Sequence, residues 1–190
     1  MQQLLELNVA VIQKYNQNDL DTETFLIDAL DTAISSFSKT NNVTKVSQLE
    51  SLKAEFVTSQ KGINPYTLQK VTVGRRGLKR TVTFKILQEA EAILRHELNE
   101  ITTHLEEASL MIQNIVLSAV QSGFLTAEQI QQARSQEAVE TIWNDLGKDA
   151  ALGVVQKKVL LAIGIYDAII ILGDIVATFR DSGGRGKTTP

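Results

Sequence analysis

The sequence predicts an all-α protein, an elongated bundle of about six helices around one long central helix, with a small basic β-hairpin as an insert. Only 11 Gly and 2 Pro occur in 190 residues, which favours long helices over a β fold with many turns. A hydrophobic content of 43% is enough for a buried core. Apolar residues recur at intervals of three or four along most of the chain, and this period is typical of amphipathic helices.

Three helices are expected at the start of the chain, at about residues 3–16, 22–37 and 44–58. Asp21 or Thr22 can cap the second helix, because a side-chain oxygen at this position accepts hydrogen bonds from the first turn. The short links predict antiparallel neighbours. The apolar stripes are Leu5, Val9, Ile12 and Tyr15 in the first helix, Phe25 to Phe37 in the second, and Val46, Leu49, Leu52 and Phe56 in the third.

The segment from Ser59 to Lys85 has an unusual charge. It holds seven of the 19 Lys and Arg residues and no Asp or Glu. The remaining chain carries twelve basic against 22 acidic residues, although the net charge of the whole is only −3. A strongly basic segment in an acidic body favours contact with an anionic surface.

Within this basic segment apolar residues occur at every second position, as they do in a β-strand with one buried face. Val71 and Val73 alternate with polar residues, as do Leu78, Val82 and Phe84. Residues 74–77, Gly-Arg-Arg-Gly, lie between the two runs and suit a four-residue turn. We therefore predict a hairpin. The alternative is a loop that leads directly into the next helix at about residue 83.

A long helix is predicted from Phe84 to Ser122, where Leu, Ile and Ala recur at gaps of three and four without a Gly or Pro. It suits the central helix of a bundle or a strand of a coiled coil. Gly123 ends it. Thr126 and Gln129 have the spacing of a capping box, which predicts the start of a further helix that runs to about residue 147.

The most apolar segment is Val159–Phe179, which is long enough to cross a bilayer as one helix. Its apolar side chains favour insertion by about 4 to 7 kcal/mol, and Asp167 and Asp174 nearly cancel this free energy. The two acids lie seven residues apart and so share one helical face. We expect a buried core helix, and insertion into a membrane is the alternative.

The predicted organisation is a three-helix segment at 1–58, the basic insert at 59–85, a long-helix bundle at 86–180 and a flexible tail at 181–190. Cys is absent, so disulfides and thiolate metal sites are excluded. The first residues lack the pattern of a secretory signal, and the expected location is cytoplasmic, with membrane association as the alternative.

No arrangement of residues indicates catalysis or a cofactor, and we predict a protein that is not an enzyme. His96 and His104 flank Glu100 on one strip of the long helix, but about 12 Å along the axis separates the two His, too far for one metal ion.

The predicted function is an interaction or assembly module whose basic segment contacts an anionic partner. The guanidinium group of arginine can donate two parallel hydrogen bonds to a carboxylate or phosphate, and lysine adds a positive point charge. A protein partner or self-association is the first expectation. The alternatives are a membrane-acting protein, a pore-former or toxin-like effector that inserts residues 159–179, and an accessory subunit that binds nucleic acid. The expected contact residues are Lys70, Arg75, Arg76, Lys79, Arg80 and Lys85.

Overall fold

The computed structural model describes residues 1–19 and 21–183, and this part of the chain forms eight helices. They are α1 (Gln2–Asn16), α2 (Thr22–Lys39), α3 (Val43–Gln60), α4 (Arg75–Gln121), α5 (Ala127–Gln132), α6 (Gln136–Leu146), α7 (Ala150–Ala162) and α8 (Ile165–Gly183). The predicted all-α class and the long helix are confirmed. The described residues contain no β-strand, so the predicted hairpin is wrong.

The chain divides into two compact units, which we call unit 1 (residues 1–100) and unit 2 (residues 101 onward). Helix α4 contributes to both, with residues 75–100 in unit 1 and residues 101–121 in unit 2. Each unit has a separate cluster of buried apolar side chains. The segments predicted at 1–58, 59–85 and 86–180 stay a prediction.

The core of unit 1 forms where α1, α2, α3 and the first part of α4 meet. Leu26, Ala33 and Phe37 of α2 lie on one face because they follow helical spacing, and they are almost fully buried. Helix α3 adds Leu49 and Phe56 to the same cluster. The other core residues are Leu4, Val11, Ala29, Leu30, Leu52, Val82, Ile86, Leu87, Ala90 and Leu94.

The basic segment folds as a loop followed by the start of α4. The residues predicted as a second strand continue the helical period: Leu78, Val82 and Ile86 are four apart, and the last two are fully buried. Burial of these side chains stabilises the fold more than a two-stranded hairpin on the surface would, since such a hairpin is only marginally stable in water. The loop contains one isolated bridge, between Ile63 and Lys70, and the predicted hairpin did not pair these residues.

The core of unit 2 forms between the second part of α4 and helices α5 to α8. Trp143 of α6 is 2% exposed and packs in the same cluster as Leu172 of α8. Helix α8 places Ala168, Leu172 and Val176 on its buried face. The other members include Ala108, Ile112, Ile115, Val116, Ala119, Leu125, Ile130, Val139, Ile142, Leu146 and Val159.

Two predicted helices are each divided in the structure. The helix after Thr126 begins with the predicted capping box, but it ends at Gln132, and Ser135 caps the separate helix α6. Residues 159–179 belong to α7 and α8, because the backbone is extended at Ile163 (φ −136°, ψ 160°). The prediction of one continuous terminal helix is wrong.

Helix α8 is buried on one face only, so the expected core helix is replaced by a half-buried one. Among the described residues, no helix has both the length and the apolar character required to cross a bilayer. Of the predicted tail at 181–190, the first three positions belong to α8, and positions 184–190 lie outside the described residues.

Candidate functional site

The candidate site is the start of α4, where the basic segment enters the helix. Gly74 precedes the helix with φ +77°, and its carbonyl accepts a hydrogen bond from the N–H of Leu78 at 3.1 Å. Glycine suits this left-handed conformation because it has no Cβ. The first turn then carries Arg75 and Arg76 and no acidic residue. Both arginines are exposed.

Arg75 holds the preceding loop and does not project freely into solvent. Its Nε donates a hydrogen bond to the carbonyl of Val71 at 2.8 Å. The same side chain lies over Gly62, where an added Cβ would be 3.2 Å from Nε. The loop itself is closed by a hydrogen bond from the N–H of Val71 to the carbonyl of Gly62, also at 2.8 Å. Arg75 therefore has a structural role in the described loop.

Arg76, Lys79 and Arg80 line a groove of about 270 Å³ opposite the turn between α1 and α2, which we call the α4 groove. The other side chains of the groove are Tyr15, Asn18, Asp19, Thr22, Glu23 and Thr83. Lys79 Nζ lies 3.9 Å from Glu23 Oε1, a long ion pair between partly exposed groups. Such a pair contributes little to stability, about 0 to 1 kcal/mol, and an external carboxylate can compete for the lysine.

Tyr15 fixes one wall of the α4 groove. Its hydroxyl donates a hydrogen bond to the carbonyl of Arg80 at 3.2 Å, and its ring stacks on Phe84 with centroids 6.0 Å apart. The guanidinium carbon of Arg80 lies 5.7 Å from the centre of the Tyr15 ring, within reach of a cation–π interaction. The aromatic wall holds Arg80 at the groove and leaves its N–H groups available to an anion.

Asp19 is already occupied by contacts within the turn. Its Oδ1 accepts a hydrogen bond from the N–H of Asp21, and its Oδ2 lies 2.9 Å from Lys14 Nζ. The Asp21 N–H first, and then Lys14, hold the pKa of Asp19 below its ordinary value of 3.8. Asp19 therefore stays ionised and places a fixed negative charge at the edge of the groove.

Lys85 lies in a different environment. Its Nζ is 4.1 Å from the centre of the Tyr66 ring, 3.4 Å from Glu89 Oε1 and 3.6 Å from Glu55 Oε2. Tyr66 first, and then the two carboxylates, raise the pKa of Lys85 above its ordinary value. Burial raises the pKa of Tyr66. Lys85 is therefore partnered within its own unit.

The six predicted contact residues do not form one site. The structure brings Arg76, Lys79 and Arg80 together in the α4 groove. Arg75 instead binds the preceding loop, which contains Lys70, and Lys85 belongs to the cluster with Tyr66. Sequence reasoning missed Tyr15, Asp19 and Glu23 as groove residues. They are far from the basic segment in sequence, and only the packing of α1 and α2 on α4 places them there.

The two acids of the terminal segment, Asp167 and Asp174, are exposed on α8. His96 Nε2 lies 3.5 Å from Glu100 Oε1 on the exposed side of α4. Within the described residues, no group of three or more His, Asp or Glu side chains is placed to hold a metal ion.

Comparison with protein-family models, with characterised proteins and with solved structures finds no match to this chain. The chemistry of the surface is therefore the basis for a function.

Proposed function

We propose that this protein is a non-enzymatic interaction module that binds an acidic surface of a protein partner through the α4 groove. The observation that carries the proposal is the placement of Arg76, Lys79 and Arg80 together in the α4 groove, within the first two turns of α4 and with no acidic residue in the first turn. The N-terminus of a helix is the positive end of its dipole and favours anions.

This placement is unfavourable for the free protein. Each cation near a helix N-terminus raises the free energy of the folded state by about 0.3 to 1 kcal/mol when it is exposed. A bound carboxylate offsets this cost, because it neutralises the exposed cations near the helix N-terminus. The start of α4 therefore gains stability when an anionic group binds.

Arg76 and Arg80 are the side chains best placed to bind a partner. Arg76 is exposed and makes no ion pair within the described part of the chain. The guanidinium of Arg80 contacts a tyrosine ring and has no carboxylate partner among the described residues. Lys79 is held by one long ion pair to Glu23, which a competing carboxylate can replace.

The acids of the α4 groove favour a protein partner over nucleic acid. Asp19 and Glu23 line the same groove as the three cations. A phosphate backbone carries charge along its whole length and would be repelled by both carboxylates. A protein loop can present one or two carboxylates to Arg76 and Arg80 and a neutral or basic side chain to the acids.

A test uses a fluorescein-labelled peptide with two glutamates among neutral residues as the acidic probe and fluorescence anisotropy as the readout. The wild-type protein should bind it at about 50 mM salt and more weakly at about 200 mM, since exposed charges are screened. Arg76→Glu should weaken binding at the lower salt by about tenfold or more, because it removes a charge-assisted hydrogen bond of about 1.5 to 3 kcal/mol and adds repulsion.

The matched control is Lys39→Glu, which makes the same change of charge at an exposed position in the last turn of α2. Equal loss in both variants would mean that only overall charge matters, and the proposed site would be wrong. Tighter binding to a single-stranded DNA probe, lost in Arg76→Glu, would replace the acidic protein with nucleic acid. Light scattering of the purified chain tests whether the protein partner is a second copy.

A further inference from the structure

A second surface lies in unit 2, where α7 turns into α8. We call it the α7–α8 corner and define it as the exposed side chains of the two helices beside this turn. They are Val154, Lys157, Lys158, Leu160 and Leu161 of α7 and Ile165, Tyr166, Asp167 and Ile170 of α8. The corner is separate from the α4 groove, which belongs to unit 1.

Helix α7 presents an apolar and basic face to solvent. Val154 and Leu161 are seven residues apart and share this face, and Lys157 and Lys158 lie between them. Leu161 is 88% exposed, the largest value among the large apolar side chains described. The opposite face contains the buried Val159.

Helix α8 continues the apolar surface. Tyr166 is 66% exposed and Ile170 is 47% exposed, four residues further along the same face. The buried face of the helix is the opposite one, with Ala168 and Leu172 in the core. Both helices therefore use one face for folding and leave another apolar face uncovered within the described chain.

The break at Ile163 and Gly164 brings the two exposed faces to one corner. The side chain of Ile163 is buried, with 8% exposure, and anchors the turn in the core. Leu161 and Ile165 lie on either side of it and project outward, with 88% and 56% exposure.

The corner carries two lysines and one carboxylate, and a second exposed carboxylate, Asp174, follows Ile170 on the same face of α8. Lys157 and Lys158 are exposed and make no ion pair with any described residue. Asp167 is the acid nearest to the turn, and its Oδ2 would lie 3.8 Å from a Cβ placed on Gly164. Lysine side chains suit the boundary of a bilayer because their stems pack on acyl chains while the ammonium groups reach the headgroups.

We propose that the α7–α8 corner docks on the surface of an anionic membrane without crossing it. Leu161, Ile165 and Tyr166 enter the boundary between headgroups and acyl chains, and Lys157 and Lys158 contact the lipid phosphates. A second copy of the chain fits less well, because a two-fold interface centred on the corner places the lysines of both copies together. An exposed apolar tip flanked by cations is typical of peripheral membrane proteins.

The absence of Cys from the sequence allows a direct test. Leu161→Cys, labelled with an environment-sensitive fluorophore, is mixed with vesicles of phosphatidylcholine alone or with added phosphatidylserine. The emission should shift to the blue with the anionic vesicles and much less with the neutral ones. The matched control is Leu110→Cys, a 61%-exposed leucine of α4 in the same unit, and its label should not respond.

Co-sedimentation of unlabelled variants with the anionic vesicles measures the contribution of each group. Leu161→Ser should weaken association by about tenfold, from the loss of buried apolar area. The change of both Lys157 and Lys158 to Gln should weaken it by about 25-fold on anionic vesicles only, about fivefold for each charge. Asp167→Asn should strengthen it, because this carboxylate is repelled by the leaflet.

Several outcomes would overturn the proposal. One is a protein that stays in the supernatant with both kinds of vesicle, and another is an equal response at positions 110 and 161. A dimer detected by light scattering, lost in Leu161→Ser and accompanied by no vesicle binding, would assign the corner to self-association. Circular dichroism of each variant confirms that the helices are retained.

Discussion

The two units use apolar residues in different ways. In unit 1 most apolar side chains of α2 and α3 point into the core, with Phe25 and Val43 as exceptions, and many surface charges pair with one another, as Lys45 does with Glu97 and Lys85 with Glu89. In unit 2 the helices α7 and α8 are apolar on more than one face, and part of this surface is exposed. Apolar content alone therefore does not identify a core helix.

We propose different partners for the two surfaces on the basis of this difference. The start of α4 in unit 1 concentrates cations beside a tyrosine wall and two carboxylates, and such a mixed surface fits a polar protein partner. The corner in unit 2 combines exposed Leu161 and Ile165 with unpaired lysines, which fits a lipid surface. The predictions that follow test this contrast, beginning with the largest expected effect.

Two leucines of unit 2 should differ strongly in their contribution to stability. Leu172→Ala should lower the free energy of unfolding by about 2 to 5 kcal/mol, because Leu172 is fully buried and a cavity remains. Leu161→Ala should change it by less than about 0.5 kcal/mol, since its side chain is already in water. Denaturant unfolding followed by the fluorescence of Trp143, the single Trp and a core residue of unit 2, measures both. A similar loss of unfolding free energy in the two variants would contradict the exposure of Leu161 on α7.

Unit 1 contains a polar residue in its core, and its replacement should stabilise the unit. Asn8 is 3% exposed, and its Nδ2 donates no hydrogen bond within the described residues. Asn8→Leu should raise the free energy of unfolding by about 1 kcal/mol, because it removes the cost of a buried unpaired amide. Circular dichroism in denaturant measures the change. The control Asn16→Leu, at an exposed position of α1, should have little effect, and a loss of stability in Asn8→Leu would show that the amide is paired.

The smallest effect is a dependence on pH in unit 1. The pKa of Asp19 is lowered in the folded protein, so its ionised form adds stability at every pH above its ordinary value of 3.8, and this contribution is lost as the pH falls below that value. Asp19→Asn should therefore lower the melting temperature at neutral pH. The difference in melting temperature between the variant and the wild type should disappear at acidic pH. Asp28→Asn, an exposed carboxylate on α2, is the matched control. A difference in melting temperature that persists at low pH would mean that Asp19 acts through packing.

The sequence was most informative where one period continued over a long segment. The bounds of α1, α2 and α3 lie within about two residues of the predicted ones, and Gly123 follows the end of α4 with φ +71°. The capping box of Thr126 and Gln129 is present as predicted. In these places local chemistry and core packing favour the same structure.

The errors came from short patterns that fit two structures. Val71, Val73, Leu78, Val82 and Phe84 alternate as in a strand, but Leu78 and Val82 are also four apart, and burial of Val82 in unit 1 favours the helix. The sequence contains one indication of the turn at Ile163 and Gly164, which is a glycine within an apolar segment. The α4 groove could not be predicted, because it depends on how α1 and α2 pack against α4.

The continuity of α4 through the boundary between residues 100 and 101 limits how the protein can be divided. A fragment that ends at this boundary cuts the helix in its interior and leaves about four backbone carbonyls on one piece and four N–H groups on the other without partners. Expression of either half alone should retain the whole of residues 75–121, whereas a proteolytic cut in the loop at 61–74 interrupts no helix.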